Sequence, residues 1–330
     1  MIRAAIVGLG RWGRTLVSSI QGQSTAIRFV AGYTRTRASA EAFCAEKGIA
    51  LKDDLDEILS DPAIDAVVFA TPHSQHAAQV IQTAGAGKHV LMEKPFTLDT
   101  KSAEAALDAV ARAGVVLGVA YPRRFHPAMI ELRARIQNGR LGILTHCASA
   151  QTAPAGLFMS PDYWRSNPQE APAGAMTATG VHNLDAMIYL FGRIDEVYCT
   201  NLRRVMARLG DTTSVMLTFS NGISATLFCS LVTAVTTDLR STGQRVASSS
   251  RTKMSNSASR RRRKRPRRAA IQRPRRKSSS IRVSTRWPPN SKGLRQRSMA
   301  IVRIRSRLTK YCMASPLSRR SYARPSCASR

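Results

Sequence analysis

Short apolar runs punctuate the first 240 residues, and between them lie stretches whose apolar positions recur at helical spacing. Ile2–Val7 is apolar except at Arg3, and Ile27–Tyr33 repeats the pattern, with a helical stretch over residues 14–20 between them. Helical spacing returns at Ala40, Phe43 and Cys44, and again over residues 54–59. The run 66–70 ends in Thr71-Pro72-His73-Ser74-Gln75-His76, and His89–Met92 ends in Glu93-Lys94-Pro95. A helix over Thr100–Ala113 and a strand over 115–119 complete the series. Repeated strand–helix units of this length predict an α/β fold, a doubly wound parallel sheet with helices on both faces. Ligands of such sheets bind beyond the carboxyl ends of the strands, which makes Thr71, Pro72, His73, Glu93, Lys94 and Pro95 candidate site residues.

The rhythm changes further on. A helix over residues 184–191 stops at Gly192, and three strands follow at 196–202, 214–219 and 224–231. Asn221-Gly222 between the last two is a hairpin turn signal.

The first chemistry lies at Gly8-Leu9-Gly10-Arg11-Trp12-Gly13, between the first strand and the first helix. In that setting Gly8 allows a tight turn, Gly10 lets backbone approach a pyrophosphate, and Gly13 lets helix pack on strand. The phosphates would sit on a helix N-terminus, where unpaired N–H groups favour negative charge. The second strand ends in Tyr33-Thr34-Arg35-Thr36-Arg37, with no carboxylate before Glu41 to take a ribose 2′-hydroxyl. Thr34 and Arg35 suit a 2′-phosphate, so NADP is the expected cofactor and NAD the alternative. Arg35 and Arg37 as plain solvated charges is the simpler reading.

The segments AIVGLGRWG, ATPHSQH, VLMEKP and YPRRFHP together resemble the Gfo/Idh/MocA oxidoreductases, the family of glucose-fructose oxidoreductase and inositol dehydrogenase. Gly180-Val181-His182-Asn183-Leu184-Asp185 resembles that family's second-domain motif. The resemblance implies a Rossmann domain over residues 1–122 and, over 123–240, a substrate and oligomerisation domain with a mostly antiparallel open sheet. It implies hydride transfer between nicotinamide and a hydroxyl-bearing carbon of a sugar, an inositol or a related polyol. Carried over by position, Lys94 holds the reacting oxygen and His182 is the general acid/base. Gly8, Gly10, Arg11, Trp12, Gly13, Thr34, Arg35, Thr71, Pro72, His73, Glu93, Lys94 and Pro95 would line the cofactor. Arg124, His126, Trp164, Arg165 and Asp185 are substrate candidates, although a linker end explains His126 and a surface turn explains Trp164-Arg165 equally well. His76 reads as a packing or capping residue. Two positions depart from the family: Ala178 stands where many members have Asp, and Pro122 where relatives often carry Asn.

Net charge alters the picture only for the last stretch. Of 51 Lys and Arg, 28 fall in residues 241–330, which contain no Asp or Glu; the remainder is nearly neutral, with 23 basic and 20 acidic residues. Two accounts of 241–330 stand side by side. One is a natural arginine-rich tail that meets nucleic acid through its phosphates. The other, which we favour, is a shift of coding frame after about Arg240. Read one frame over, Trp287-Pro288 must give Ala, Met299-Ala300 and Met313-Ala314 Gly, and Tyr311-Cys312 Leu, within a stretch that then permits an acidic, family-like sequence. Such a tail lacks the apolar residues to order itself. On this reading the second domain is incomplete and activity is impaired, nucleic acid binds only non-specifically, and a homo-oligomer is doubtful. A non-catalytic nucleotide-binding remnant and a nucleic-acid-binding protein are the alternative functions.

Six scattered cysteines without a CxxC point to a reduced, cytoplasmic setting and to no metal site. No apolar run is long enough to span a bilayer, and the chain opens on a strand rather than on a signal-peptide pattern.

Overall fold

Alternation of side chains decides which residues of the first sheet face which layer. In strand β1 (Ile2–Val7), Ala5 and Val7 pack into one apolar cluster while Ala4 and Ile6 pack into another on the opposite face, as the twofold period of a strand dictates. The computed structural model describes residues 1–244 and 247–251. After β1 come α1 (Arg11–Ile20), β2 (Ile27–Tyr33), α2 (Glu41–Lys47), β3 (Ala50–Leu51) and α3 (Leu55–Ser60). Then follow β4 (Ala66–Phe69), α4 (His76–Gly85), β5 (His89–Met92), α5 (Thr100–Ala113) and β6 (Leu117–Val119). Two of these helices, α3 and α5, start where a short polar side chain caps them: Asp54 accepts from Glu57 N at 2.8 Å and Asp99 from Ser102 N at 2.8 Å.

The six strands pair in parallel in the order β3-β2-β1-β4-β5-β6. The order reverses between β1 and β4, so the crevice beyond Val7 and Phe69 is the place where such a sheet takes a ligand. The expected Rossmann architecture is present, with α1 beginning at Arg11, three residues earlier than helical spacing suggested.

The second half comprises α6 (Pro127–Gln137), β7 (Leu144–Thr152), α7 (Val181–Phe191), β8 (Ile194–Leu202), β9 (Thr212–Phe219), β10 (Ser224–Ser230), β11 (Thr236–Gly243) and β12 (Ala247–Arg251). Its strands run in the order β12-β11-β7-β10-β9-β8, antiparallel except for β7 with β10. Burial alternates along β9, and Val215, Leu217 and Phe219 face the core with Leu227 and Cys229 of β10. Helix α7 covers that face with Met187, Leu190 and Phe191, and α6 adds Met129 and Leu132. The opposite face leaves Tyr198, Met216 and Phe228 exposed.

The boundary expected at Arg240 is corrected by β11, which runs through it. Leu239 and Ser241 both point into the core, 2% exposed each, and Arg240, Ser241 and Thr242 pair with Ala148, Cys147 and His146 of β7. Ladder pairing and inward alternation carry the strand past the change in composition. The sheet expected to stop after β10 therefore has two further strands. Apart from 241–244 and 247–251, the basic segment expected over 241–330 lies outside the described residues.

Candidate active site

The loop from β1 to α1 is shaped by steric exclusion. Gly8 has φ +97°, and a Cβ there would stand 2.5 Å from the carbonyl oxygen of Ala70. A Cβ on Gly13 would stand 2.0 Å from the carbonyl oxygen of Gly8. Gly10 differs, because a Cβ there would meet nothing within 4 Å, so the loop's open side lies at Gly10. No side chain caps α1, and its first intrahelical bond is Arg14 N to Gly10 O at 3.0 Å, leaving the first-turn N–H groups for a ligand. An anionic pyrophosphate fits this set of features. Arg11 and Trp12 are exposed at this helix start, and the Trp12 indole N–H donates to Glu93 Oε1 at 2.7 Å. At the end of β2, Thr34 is half-buried and Arg35 exposed, whereas Arg37 pairs with Asp53 and lies 3.6 Å from Glu41.

Glu93-Lys94-Pro95 follows β5, with a cis bond between Lys94 and Pro95. Lys94 Nζ donates to the carbonyl oxygen of Ala178 at 2.8 Å. That carbonyl belongs to a π-helical turn, Met176–Gly180, inserted directly before α7. A neutral acceptor thus meets the lysine at the position where many relatives have Asp. Burial lowers the Lys94 pKa to about 8, against the opposing attraction of Glu93 and with the repulsion of Arg165. His182, in the first turn of α7, is pushed down to about 3 by burial and by the charges of Lys94 and Arg123. Its ring nitrogens have no hydrogen-bond partner among the described residues. Burial also raises the Glu93 carboxyl above its ordinary range.

Arg123 is one residue that sequence reasoning missed. It donates to the Gln151 side chain of β7, has no carboxylate in ion-pair range among the described residues, and is lowered to about 10 by burial. Its neighbour Arg124, the expected substrate residue, is held by the carboxylate of Asp185 through contacts of 2.5–3.0 Å. Nothing in the pair of arginines at 123 and 124 announces which one the fold pairs off.

His73 is 5% exposed and joins the two halves of the chain rather than lining an open surface. Its Nδ1 lies 2.6 Å from the carbonyl oxygen of Glu170, and its ring meets Trp164 edge-on at 5.0 Å. The Glu170 carboxylate accepts from Ser74 N at 3.0 Å and Ser74 Oγ at 2.5 Å. Burial brings His73 down to about 4. Glu170 carried no signal in the sequence, because its partners lie nearly a hundred positions away. Thr71 is buried and bonds Gln79 at 2.6 Å, with Pro72 half-buried beside it. His76, fully buried, lies 2.8 Å from the carbonyl oxygen of Pro95 and 3.2 Å from that of Thr71, a packing role. His126 is exposed and caps α6, its Nδ1 accepting from Ala128 N at 3.2 Å. Arg165 stacks on Trp164, with its guanidinium carbon 4.2 Å from the ring centroid, and donates to the Tyr163 hydroxyl at 2.8 Å.

Among the described residues, no group of three His, Cys, Asp or Glu could hold a metal ion, and no helix is long and apolar enough to cross a membrane.

Residues 2–121 match the family model of the GFO/IDH/MocA oxidoreductases described as an NAD-binding Rossmann fold, and residues 129–245 match the GFO/IDH/MocA C-terminal domain. The scyllo-inositol 2-dehydrogenase (NAD(+)) of Bacillus subtilis is 37% identical over 58% of this chain and 54% of its own length. The myo-inositol 2-dehydrogenase of Thermotoga maritima is 28% identical over 67% of this chain and 66% of its own. The chain thus spans between half and two-thirds of the length of these curated relatives. Among solved structures, the fold is shared with the scyllo-inositol dehydrogenase of Lactobacillus casei bound to NAD(H) and scyllo-inositol. That match has TM-score 0.69 and 23% identity, covering 76% of each chain.

Proposed function

We propose that this chain, which belongs to the GFO/IDH/MocA oxidoreductase family, is an NAD(P)-dependent dehydrogenase acting on a hydroxyl-bearing carbon of a sugar, an inositol or a related polyol. The observation that carries the reading is the meeting of Lys94 and the π-helical turn directly before α7, through the bond from Lys94 Nζ to Ala178 O at 2.8 Å. Gly8, Gly10, Arg11, Trp12 and Gly13 would hold the pyrophosphate, and Thr71 and Pro72 would lie along the crevice where the strand order reverses. Thr34 and Arg35 favour NADP over NAD, since Arg35 is exposed while Arg37 is engaged by two carboxylates. The nicotinamide, when bound, supplies the acceptor or donor of the hydride.

The chain's own residues handle the proton. As the carbon gives up its C–H electron pair, the hydroxyl must lose its proton to a positioned base. Lys94, at about 8, is the group that titrates near neutral pH, and it accepts that proton as the free amine or returns it as the ammonium. His182, held neutral, donates its ring N–H to the oxygen of the same hydroxyl and orients it. This divides the work differently from the expectation in which His182 carries the proton, and the cause is the burial of the imidazole, reinforced by the two cations beside it. Cytoplasmic placement completes the reading.

Reduced-nicotinamide absorbance, followed while the full chain is offered inositols and aldoses with NADP or NAD, tests it. Turnover of at least one polyol, faster with NADP, is the expected result. Tight dinucleotide binding with no turnover of any of them would leave only a non-catalytic nucleotide-binding protein.

A further inference from the structure

Lys94, Arg123 and Arg165 have no carboxylate in ion-pair range among the described residues; the Glu93 carboxylate attracts Lys94 and Arg165 from further off, whereas Arg123 feels burial alone. Lys94 bonds a backbone carbonyl, Arg123 a side-chain amide and Arg165 a phenol. The nearby carboxylates are already engaged. Asp185 is held by Arg124, Glu170 by Ser74, and Glu93 by the Trp12 indole. A desolvated charge without a counter-charge is costly, and folds keep one where a ligand supplies the missing partner.

Arg123 is the best placed of the three. A guanidinium has five N–H donors in a planar fork, and Gln151 of β7 engages only one Nη. That contact also fixes the side chain, so the remaining edge is pre-positioned for a planar, bidentate acceptor. The guanidinium acts on the same imidazole, His182, as Lys94 does, which places these two cations on one space. A single fork matches one carboxylate; a phosphate dianion calls for more donors than Arg123 offers alone.

We propose that the substrate of this chain carries a carboxylate, as uronic and aldonic sugar acids do, and that Arg123 receives it. The proposal rests on the dehydrogenase reading above and narrows its substrate class. Oxidation of such an acid proceeds as for a neutral sugar: the C–H pair leaves as hydride to the oxidised nicotinamide and the hydroxyl proton leaves to Lys94, while the carboxylate stays intact on Arg123. Its charge offsets Lys94 and Arg123 at His182.

Binding and turnover are measured separately with the full chain. Glucuronate, galacturonate and gluconate are compared with glucose, galactose, myo-inositol and glucose 6-phosphate, first by calorimetry on the protein saturated with reduced cofactor, then by turnover with the oxidised cofactor. The expected result is binding of at least one sugar acid about 10–100-fold tighter than its neutral counterpart, the range of a charge-assisted hydrogen bond. Uronates against gluconate tell whether the carboxylate sits at the far end of the sugar or at C1, the former aldehyde carbon itself. Arg123→Gln is expected to bring acid and neutral sugar to within about threefold of each other, and Arg123→Lys to restore the preference only in part, because the fork is lost. Neutral sugars or glucose 6-phosphate binding as well as the acids, or no sugar acid binding at all, overturns the proposal, and the wild-type comparison needs no variant to fold. A sugar acid that binds through Arg123 but is never oxidised upholds the carboxylate site and refutes the dehydrogenase reading. A neutral sugar that is oxidised while acids neither bind nor react does the reverse.

Discussion

The β1–β6 sheet is covered on both faces, whereas the β7–β12 sheet packs α6 and α7 on one face and leaves Tyr198, Met216 and Phe228 exposed on the other. The difference extends to the chemistry each half contributes. The first half offers mainly backbone: glycines placed by close approach, an uncapped helix start and strand ends. The second half offers side chains and carbonyls whose meaning depends on their partners: Arg123 with Gln151, Arg124 with Asp185, Ala178 O with Lys94. A backbone site fails by steric clash, and a charge site fails by imbalance. Substitutions in the two halves should therefore differ in kind.

The largest effect is expected from Lys94→Met, which removes the proton-carrying group. Turnover should fall about 10³-fold, within the range for a general acid or base, while the melting temperature stays level or rises because a buried cation is gone. Steady-state rates beside thermal melts separate the two. Next come the glycines. Gly13→Ala forces a Cβ to 2.0 Å from Gly8 O and should lower both melting temperature and dinucleotide affinity. Gly10→Ala meets open space and should leave the melt within about 1 °C while weakening dinucleotide binding roughly tenfold or more, because only the ligand approaches there. Fluorescence titration with NADPH reads both. Equal loss of stability in the two variants would remove the distinction between a folding glycine and a binding glycine.

A smaller effect concerns acid. His73 and His182 have folded pKa values of about 4 and about 3, below the 6.5 of an unfolded histidine. Between those limits the unfolded chain binds protons that the folded chain refuses, so stability is full above pH 6.5 and declines as pH falls below it. Glu93 and Asp185, raised by burial, oppose the trend nearer their own range. His73→Gln should flatten the decline between pH 6.5 and 5 in thermal melts; an unchanged slope would mean that His73 charges freely in the fold. Smallest is the nucleotide contrast. Arg35→Ala should raise the KM for NADP several-fold and spare NAD, whereas Arg37→Ala should change neither by more than about twofold, because Asp53 and Glu41 already hold it.

Legibility followed the same divide. Strands β1 and β2 coincide with their apolar runs, because a strand buried on both faces must be largely apolar; β5 coincides as well, although only Val90 and Met92 of it are buried. Strand β7, Leu-Thr-His-Cys-Ala-Ser-Ala-Gln-Thr, lies at the centre of the second sheet yet gave no signal, since its small and polar residues are buried by neighbours that only the topology supplies. Strand β11 was obscured by the shift in composition at Arg240 that it crosses. At the site, the glycine loop was visible because close approach restricts which residue types can stand there, and Lys94 because it follows a strand end in a segment that resembles the family's. The bond of Arg123 to Gln151 and the latch of Glu170 on Ser74 were not, because each is a relation between distant positions.

The central claim is that Lys94, rather than His182, carries the proton in this cleft. The pH dependence of kcat/KM in both directions of the reaction tests it most directly. Oxidation should gain rate as pH rises through about 8, where the Lys94 amine becomes free, and reduction should lose rate over the same interval. A profile flat through that interval, with a bend between pH 6 and 7 that vanishes in His182→Asn, would contradict the claim and return the proton to the imidazole.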